Sequence, residues 1–423
     1  MVRLLLLCLA IATAALPATA QDPVLTEIVV EGNTKTQRAV IDRVIDLEPG
    51  SPFPLEAFDQ VWDRLEDCGY FAFVDLDTEE DDEGNVTLLV NVEEESTFRA
   101  TPYIRYDRRH KYLLGAAAKD VNLGGRGEVL ELQAIVYHTQ RARLGWTKPW
   151  FLDARGLSLH VDAQWEQGAF VWRPFDYAAW HTLVGLRQDL SEAFYVEAGG
   201  GFESFKQKDD YDWPVDGVVA GFGAETRNVT QIRALVGLDT RDGSFYPKNG
   251  FFGEVEWLYR TGDEVDGQNG FKADLRGFYE LPGKPILAVR AYGQTMDTVG
   301  AQEYVLRWGG PETVRGADYA GREGDMAYLL TAELRYPVML MPVSQAGEVV
   351  GLGLHAFMDV GDAWYNESNP FVIDDQLIGN ANRALQSFGA GVHVNLLSWQ
   401  LRFEAAKERD GDWVFEFMDV FNF

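Results

Sequence analysis

Apolar and polar residues alternate one by one along most of this chain, and in two short stretches the apolar spacing changes to three and four. Leu157, Leu159, Val161, Ala163 and Trp165 interleave with Ser158, His160, Asp162, Gln164 and Glu166. Phe271, Ala273, Leu275, Gly277 and Tyr279 interleave with Lys272, Asp274, Arg276, Phe278 and Glu280, one apolar residue falling on the polar side. Trp399, Leu401, Phe403 and Ala405 alternate with Gln400, Arg402 and Glu404. A period of two sends successive side chains to opposite faces of a strand. From about residue 100 the pattern predicts about sixteen strands of roughly ten residues, the dyad signature of a barrel with a lipid-facing outside and a wet lumen. The last of them, Trp413 to Phe423, gathers Trp413, Phe415, Phe417, Phe421 and Phe423 on one face, which Asp419 interrupts.

The helical spacing lies in residues 25 to 95. Leu25 to Val30 predicts a strand, with Gly32-Asn33-Thr34 as its turn. Val40, Ile41, Val44 and Ile45 then share a helical face. A second helix follows Ser51-Pro52-Phe53-Pro54, with Leu55, Phe58, Val61, Trp62 and Leu65 on one side and Gly69 placed to stop it. Phe71 to Asp77 and Val86 to Val92 flank Glu83-Gly84-Asn85 as two closing strands. Val86, Leu88, Val90 and Val92 fall on one face, as a sheet covered by helices on one side requires.

A soluble β-sandwich would also alternate, and the N-terminus shifts the balance towards a membrane barrel. Arg3, the apolar run Leu4 to Leu16 and Ala18-Thr19-Ala20 predict a secretory signal cleaved before Gln21. The run is shorter than the roughly 20 apolar residues of a spanning helix. Leu5-Leu6-Leu7-Cys8 lacks the small residues of a lipoprotein site. No later stretch reaches the length of a spanning helix, so a membrane destination forces a closed barrel, which satisfies every backbone group in lipid. The 42 glycines, 12 Trp, 17 Tyr and 25 Phe suit that reading. Once Cys8 leaves with the signal, Cys68 has no disulfide partner, and a reduced, mostly buried thiol near the end of the second helix is expected.

The net charge of −29 makes nucleic acid an unlikely partner. Acidic runs at Asp77 to Glu83 and Glu93 to Glu95 read as solvated turn and strand-end surface, a docking site for a basic partner being the other reading. Enzyme signals are poor. There is no Gly-x-Ser-x-Gly or His-Glu-x-x-His, and His110, His138, His160, His181, His355 and His393 lack ligand spacing, so no catalytic residue, metal or cofactor is expected. Gly124-Gly125-Arg126-Gly127 and Gly199-Gly200-Gly201 have no βαβ context and read as turn or strand glycines.

Several motifs resemble the BamA/TamA-type outer-membrane assembly and translocation family, whose members join periplasmic POTRA modules to a sixteen-stranded barrel. Residues 25 to 95 are similar to one POTRA through Ile28-Val29-Val30-Glu31-Gly32-Asn33-Thr34 and Leu65-Glu66-Asp67-Cys68-Gly69-Tyr70-Phe71. The barrel resembles the family through Asp239-Thr240-Arg241-Asp242, continuing Phe245-Tyr246-Pro247-Lys248-Asn249-Gly250. Gly309-Gly310-Pro311-Glu312-Thr313-Val314-Arg315-Gly316 and Phe357-Met358-Asp359-Val360-Gly361 are similar too, and Phe421 and Phe423 resemble a C-terminal β-signal. The resemblance implies a loop, about residues 295 to 325, folded back into the lumen with Arg315 meeting Asp359, and Val314, Gly316 and Gly361 around them. Where the family has an aromatic after Val-Arg-Gly this chain has Ala317, and Tyr319 is the expected substitute. One POTRA is seen where assembly members carry several.

The expected organisation is a mainly β chain: signal at 1–20, POTRA module at 21–97, and outer-membrane barrel at 98–423. The resemblance implies assembly or translocation of unfolded outer-membrane or secreted protein clients, among outer-membrane lipids and with periplasmic chaperones or lipoproteins as candidate partners. Two other classes remain: a passive channel or porin, and a membrane-anchored structural or binding protein.

Overall fold

The computed structural model describes residues 22–107, 111–137, 139–170, 172–215, 218–243, 246–263, 265–297, 302–318, 321–342, 349–366, 384–397 and 399–420. The predicted signal at 1–20 lies outside that set. The chain divides into two compact units between Glu95 and Ser96.

In the first unit β1 (Leu25–Glu31) leads to α1 (Arg38–Ile45) and α2 (Leu55–Asp67), followed by β2 (Phe71–Glu80) and β3 (Val86–Glu94). The central strand is β3, parallel to β1 and antiparallel to β2. Its Val86, Leu88, Val90 and Val92 join Ile41, Ile45, Val61 and Leu65 of the helices in one core. Each such side chain contributes about 1.5–3 kcal/mol by leaving water. The chain leaves α2 through Gly69 at φ +71°, a left-handed conformation that costs glycine little. Cys68 caps α2 and its thiol donates to the Leu65 carbonyl at 3.1 Å. It is half-buried, a looser setting than the sequence led us to expect, yet burial still pushes the thiol up to about 12.

One acidic residue departs from the solvated-surface expectation. The Glu94 carboxylate accepts the backbone N–H groups of Thr34, Lys35 and Thr36 and the Thr34 hydroxyl. It thereby ties the turn after β1 to the end of β3. Burial opposes its charge, but the donors from Thr34, Thr36 and Lys35 win and hold the carboxyl down to about 2.

The second unit is one antiparallel sheet of sixteen strands rolled into a closed barrel. Its first wall strands are β4 (Phe98–Asp107), β5 (Lys111–Leu123), β6 (Glu128–Ile135), β7 (Gln140–Lys148), β8 (Leu157–Ala169), β9 (Asp176–Asp189) and β10 (Phe194–Gln207). A side hairpin, β11 (Tyr211–Val215) with β12 (Val218–Phe222), precedes β13 (Thr226–Asp239), β14 (Gly250–Gly262), β15 (Val265–Glu280) and β16 (Ile286–Met296). A loop ribbon, β17 (Leu306–Trp308) with β18 (Arg322–Gly324), separates these from β19 (Met326–Pro342) and β20 (Val349–Trp364). The wall ends with β21 (Leu385–Leu397), β22 (Trp399–Glu408) and β23 (Trp413–Val420).

Burial follows the alternation. Phe271, Leu275 and Tyr279 are exposed on the outside of β15 while Asp274 is buried inside. Phe278, the apolar exception, does face inwards, where the Arg335 guanidinium lies 5.7 Å from its ring centroid. On β22, Phe403 points out and Arg402 and Glu404 point in; on β23, Trp413 and Phe415 point out. The side chain of Asp419, and Phe421 and Phe423, lie outside the described residues. Among those described, no helix is long and apolar enough to cross a membrane.

Neighbouring wall strands share long ladders, such as Gln400↔Val420 through Lys407↔Trp413 between β22 and β23. Closure is different. Between β23 and β4 the described register is the single pair Phe417↔Tyr106. Strand alternation puts the β13–β14 turn at the end of the barrel where Ser96 enters, and the β16–β19 loop at the far end.

Candidate functional site: an inner loop ion-paired to the barrel wall

The loop between Met296 and Met326 returns into the lumen, because its tip meets wall residues that face inwards. Arg315 donates to Asp359 of β20 through Nε to Oδ2 at 2.8 Å and Nη2 to Oδ1 at 2.9 Å. Its backbone N–H adds a third bond to Oδ2 at 3.2 Å. The planar fork thus matches the carboxylate edge to edge. The guanidinium also lies 3.4 Å over the Phe357 ring.

Two more carboxylates share this cation, which the motifs did not announce. Arg315 Nη1 reaches Glu333 Oε2 of β19 at 2.8 Å and Glu404 Oε1 of β22 at 3.3 Å. Arg335 and Arg402 then bind Glu333 at 2.7 and 2.6 Å, and Arg402 Nε sits 2.8 Å from Glu404. Asp359, Glu333 and Glu404 therefore balance Arg315, Arg335 and Arg402, all buried. Removing one member of such a cluster strands an opposite charge, at a cost of up to roughly 3–5 kcal/mol where no other partner compensates it.

Glycines set how closely the loop sits. A Cβ on Gly361 would lie 2.9 Å from Trp308 Nε1 and 3.0 Å from Val314 Cγ2, and Val314 is fully buried. Gly316 takes φ +79°, and a Cβ there would press on Ala406 at 2.8 Å. Ala317 is fully buried in the cluster formed by Trp308, Val314, Tyr365 and Leu385. Tyr319, its expected substitute, lies outside the described residues.

The loop has further anchors. Glu303 takes a fork from Arg227 of β13 at 2.8 and 2.7 Å, and Tyr304 donates to Glu203 of β10 at 2.8 Å. In the ribbon, Glu323 receives Arg173 at 3.1 and 2.7 Å and Arg307 at 3.2 Å. Arg173 belongs to the loop between β8 and β9, which lies at the same end of the barrel.

The second barrel motif builds the turn at the opposite end. Arg241 forks onto Asp239 at 2.8 and 2.7 Å. Asp242 accepts the backbone N–H groups of Lys248 and Asn249 at 2.8 and 3.0 Å. These three residues do not meet Arg315. From this turn Tyr246 reaches the lumen, where its hydroxyl lies 3.1 Å from His393 Nε2.

Glu333, His355 and Glu404 bring potential ligand atoms within 4.8 Å of one another. The positive charge that a metal would supply is already there, in the guanidiniums of Arg315, Arg335 and Arg402. The donor set fits an ion-pair cluster better than a metal centre.

Sixteen strands closed into a barrel, with a long loop held against the inner wall by its own arginine, define a barrel protein with a built-in lumen plug. The Omp85 superfamily domain matches residues 122–418, and the POTRA domain, described as a surface antigen variable number repeat, matches residues 23–95. The chain belongs to the Omp85 superfamily. It is 24% identical over 378 residues to an outer membrane protein assembly factor BamA from Nitratidesulfovibrio vulgaris, covering 84% of this chain and 45% of that protein. The chain thus spans less than half the length of this curated relative. The crystal structure of BamA from Haemophilus ducreyi lacking POTRA domains 1-3 matches with a TM-score of 0.70 at 15% identity, over 94% of this chain and 84% of that one. CdiB from Acinetobacter baumannii matches with a TM-score of 0.65 at 14% identity, over 95% and 74% of the two chains. At these identities the likeness is one of fold.

Proposed function

We propose that this protein inserts β-barrel clients into the outer membrane of a Gram-negative bacterium, or moves polypeptides across it, with its POTRA module in the periplasm. The observation that carries the reading is the seam. Among the described residues the ladder between β4 and β23 is the single pair Phe417↔Tyr106, and a seam paired so briefly is where an incoming strand could add by β-augmentation. The edge strand β2 of the module offers the same kind of template to an unfolded client. The client's own burial of apolar surface and closure of backbone bonds drive the step, without nucleotide or covalent chemistry. Arg315, paired with Asp359, locks the loop while the wall works. A passive channel gives no role to a loop so firmly fixed in the lumen.

The test places cysteines at Tyr106 and Phe417 in a Cys68→Ala background, since cross-strand partners lie within disulfide reach. Oxidised protein in liposomes is expected to stop inserting an unfolded barrel client, scored by the client's heat-modifiable mobility, and reductant to restore it. Equal insertion with the seam sealed would refute the strand-templating reading.

A further inference from the structure

Three successive inward positions on the β20–β21 ladder pair a ring with a glycine. Gly353 faces His393, His355 faces Gly391, and Phe357 faces Gly389 as direct cross-strand partners. A Cβ at Gly353 would lie 2.1 Å from His393 Nε2, one at Gly391 2.7 Å from His355 Nε2, and one at Gly389 2.5 Å from Phe357 Cζ. Each ring therefore lies across the ladder on bare backbone. Ring centroids follow one another at 6.3 Å from Phe357 to His355, 5.3 Å to His393 and 5.6 Å to Tyr246. Arg315 sits on Phe357 at the other end. The column runs from the tip of the loop, which enters at the far end, to the β13–β14 turn at the entry end.

Hydrogen bonds run beside the stack in one direction. Glu404, ionised between Arg315 and Arg402, can only accept, so His355 Nε2 donates to it at 2.9 Å. His355 Nδ1 then accepts from His393 Nδ1 at 3.1 Å, and His393 Nε2 accepts from the Tyr246 hydroxyl at 3.1 Å. Two neutral imidazoles with opposite tautomers satisfy every link, an assignment that follows from the network.

We infer that His355 and His393 are positioning residues that join the two ends of the lumen, so that the seating of Arg315 among its carboxylates and the seating of Tyr246 of the β13–β14 turn are coupled. The two ends share one line of contacts: Tyr246 carries the turn to His393, and Glu404 is oriented by Arg315 and His355 together. The inference rests on geometry inside the barrel and stands whether or not the assembly reading does.

Full-length protein folded in detergent would be treated with a nonspecific protease and the cuts mapped by mass spectrometry. Tyr246→Phe removes one hydroxyl; His393→Phe keeps a flat ring on Gly353 and loses both nitrogens. Both are expected to speed cleavage within residues 302–318 of the distant loop roughly three- to tenfold, the factor that one lost buried hydrogen bond implies. Cleavage at the β9–β10 turn, residues 190–193, should not change, which separates the effect from general loosening. Tyr246→Phe added to Arg315→Ala should speed loop cleavage no further. Unchanged loop cleavage in both single variants, equal acceleration at 190–193, or additive effects in the double variant would each overturn the link.

Discussion

Gly361 of the wall and Trp308 of the inner loop are in such close contact that a methyl group on the first would stand 2.9 Å from the indole nitrogen of the second. The glycine of the Phe-x-Asp-x-Gly motif is therefore the floor on which the loop rests. Gly361→Val should destabilise the barrel by about 1–3 kcal/mol through overpacking and lift the loop from the wall. Thermal unfolding in detergent, together with protease cleavage within 302–318, would measure both effects.

Arg315→Ala and Asp359→Ala should not be equivalent. Without Arg315, three buried carboxylates are left to Arg335 and Arg402; without Asp359, Arg315 still holds Glu333 and Glu404. We expect a loss of roughly 3–5 kcal/mol for Arg315→Ala, a smaller one for Asp359→Ala, and a double variant that costs less than their sum. A double-mutant cycle on thermal unfolding would show the coupling, and strictly additive losses would contradict it.

In the POTRA module, Glu94→Gln should destabilise the end of β3 and the turn after β1 by roughly 1 kcal/mol at neutral pH, a modest value because the carboxylate is partly solvated. The folded carboxyl is held down to about 2 from an ordinary 4.5, so its contribution is complete above 4.5 and fades as pH falls towards 2. Amide hydrogen exchange at Thr34, Lys35 and Thr36 should quicken in the variant at pH 7, and the two proteins should converge near pH 2.

Cys68 should react slowly with alkylating reagents at pH 8, because burial has pushed its thiol up to about 12 and roughly one thiol in ten thousand is then ionised. Denaturant should restore the rate of an ordinary cysteine. Complete modification of the folded protein within seconds would contradict the thiol's place at the end of α2.

The strands were readable because lipid and lumen impose opposite chemistry on alternate residues, so Phe271, Leu275 and Asp274 announce their faces. Phe278 broke the pattern for a local reason: it serves as a platform for Arg335 and not as a lipid contact. Arg315 and Asp359 were legible from motifs. Glu333, Arg335, Arg402 and Glu404 were not, since each occupies an ordinary polar position of its strand and only the curvature of the wall brings β19 and β22 to one point. His355 and His393 looked scattered at a separation of 38 residues. The hairpin joining β20 and β21 makes them neighbours, and the glycines opposite each ring were the one local signal available.

The ion-pair cluster also divides the barrel mechanically. From β19 to β22 the wall is held twice, by its ladders and by a buried strap of charges on the inner side. From β5 to β8 the inner pairs Lys119–Glu131, Arg143–Asp162 and Arg141–Glu166 are all more exposed than the cluster and each adds less. One arc is thus the stiffer and the other the softer, and the seam between β23 and β4, with its one described pair, falls just beyond the stiffer arc's edge. The loop, fastened to the stiffer arc by Arg315 and to β13 and β10 by Glu303 and Tyr304, spans the lumen as a brace between opposite parts of the wall.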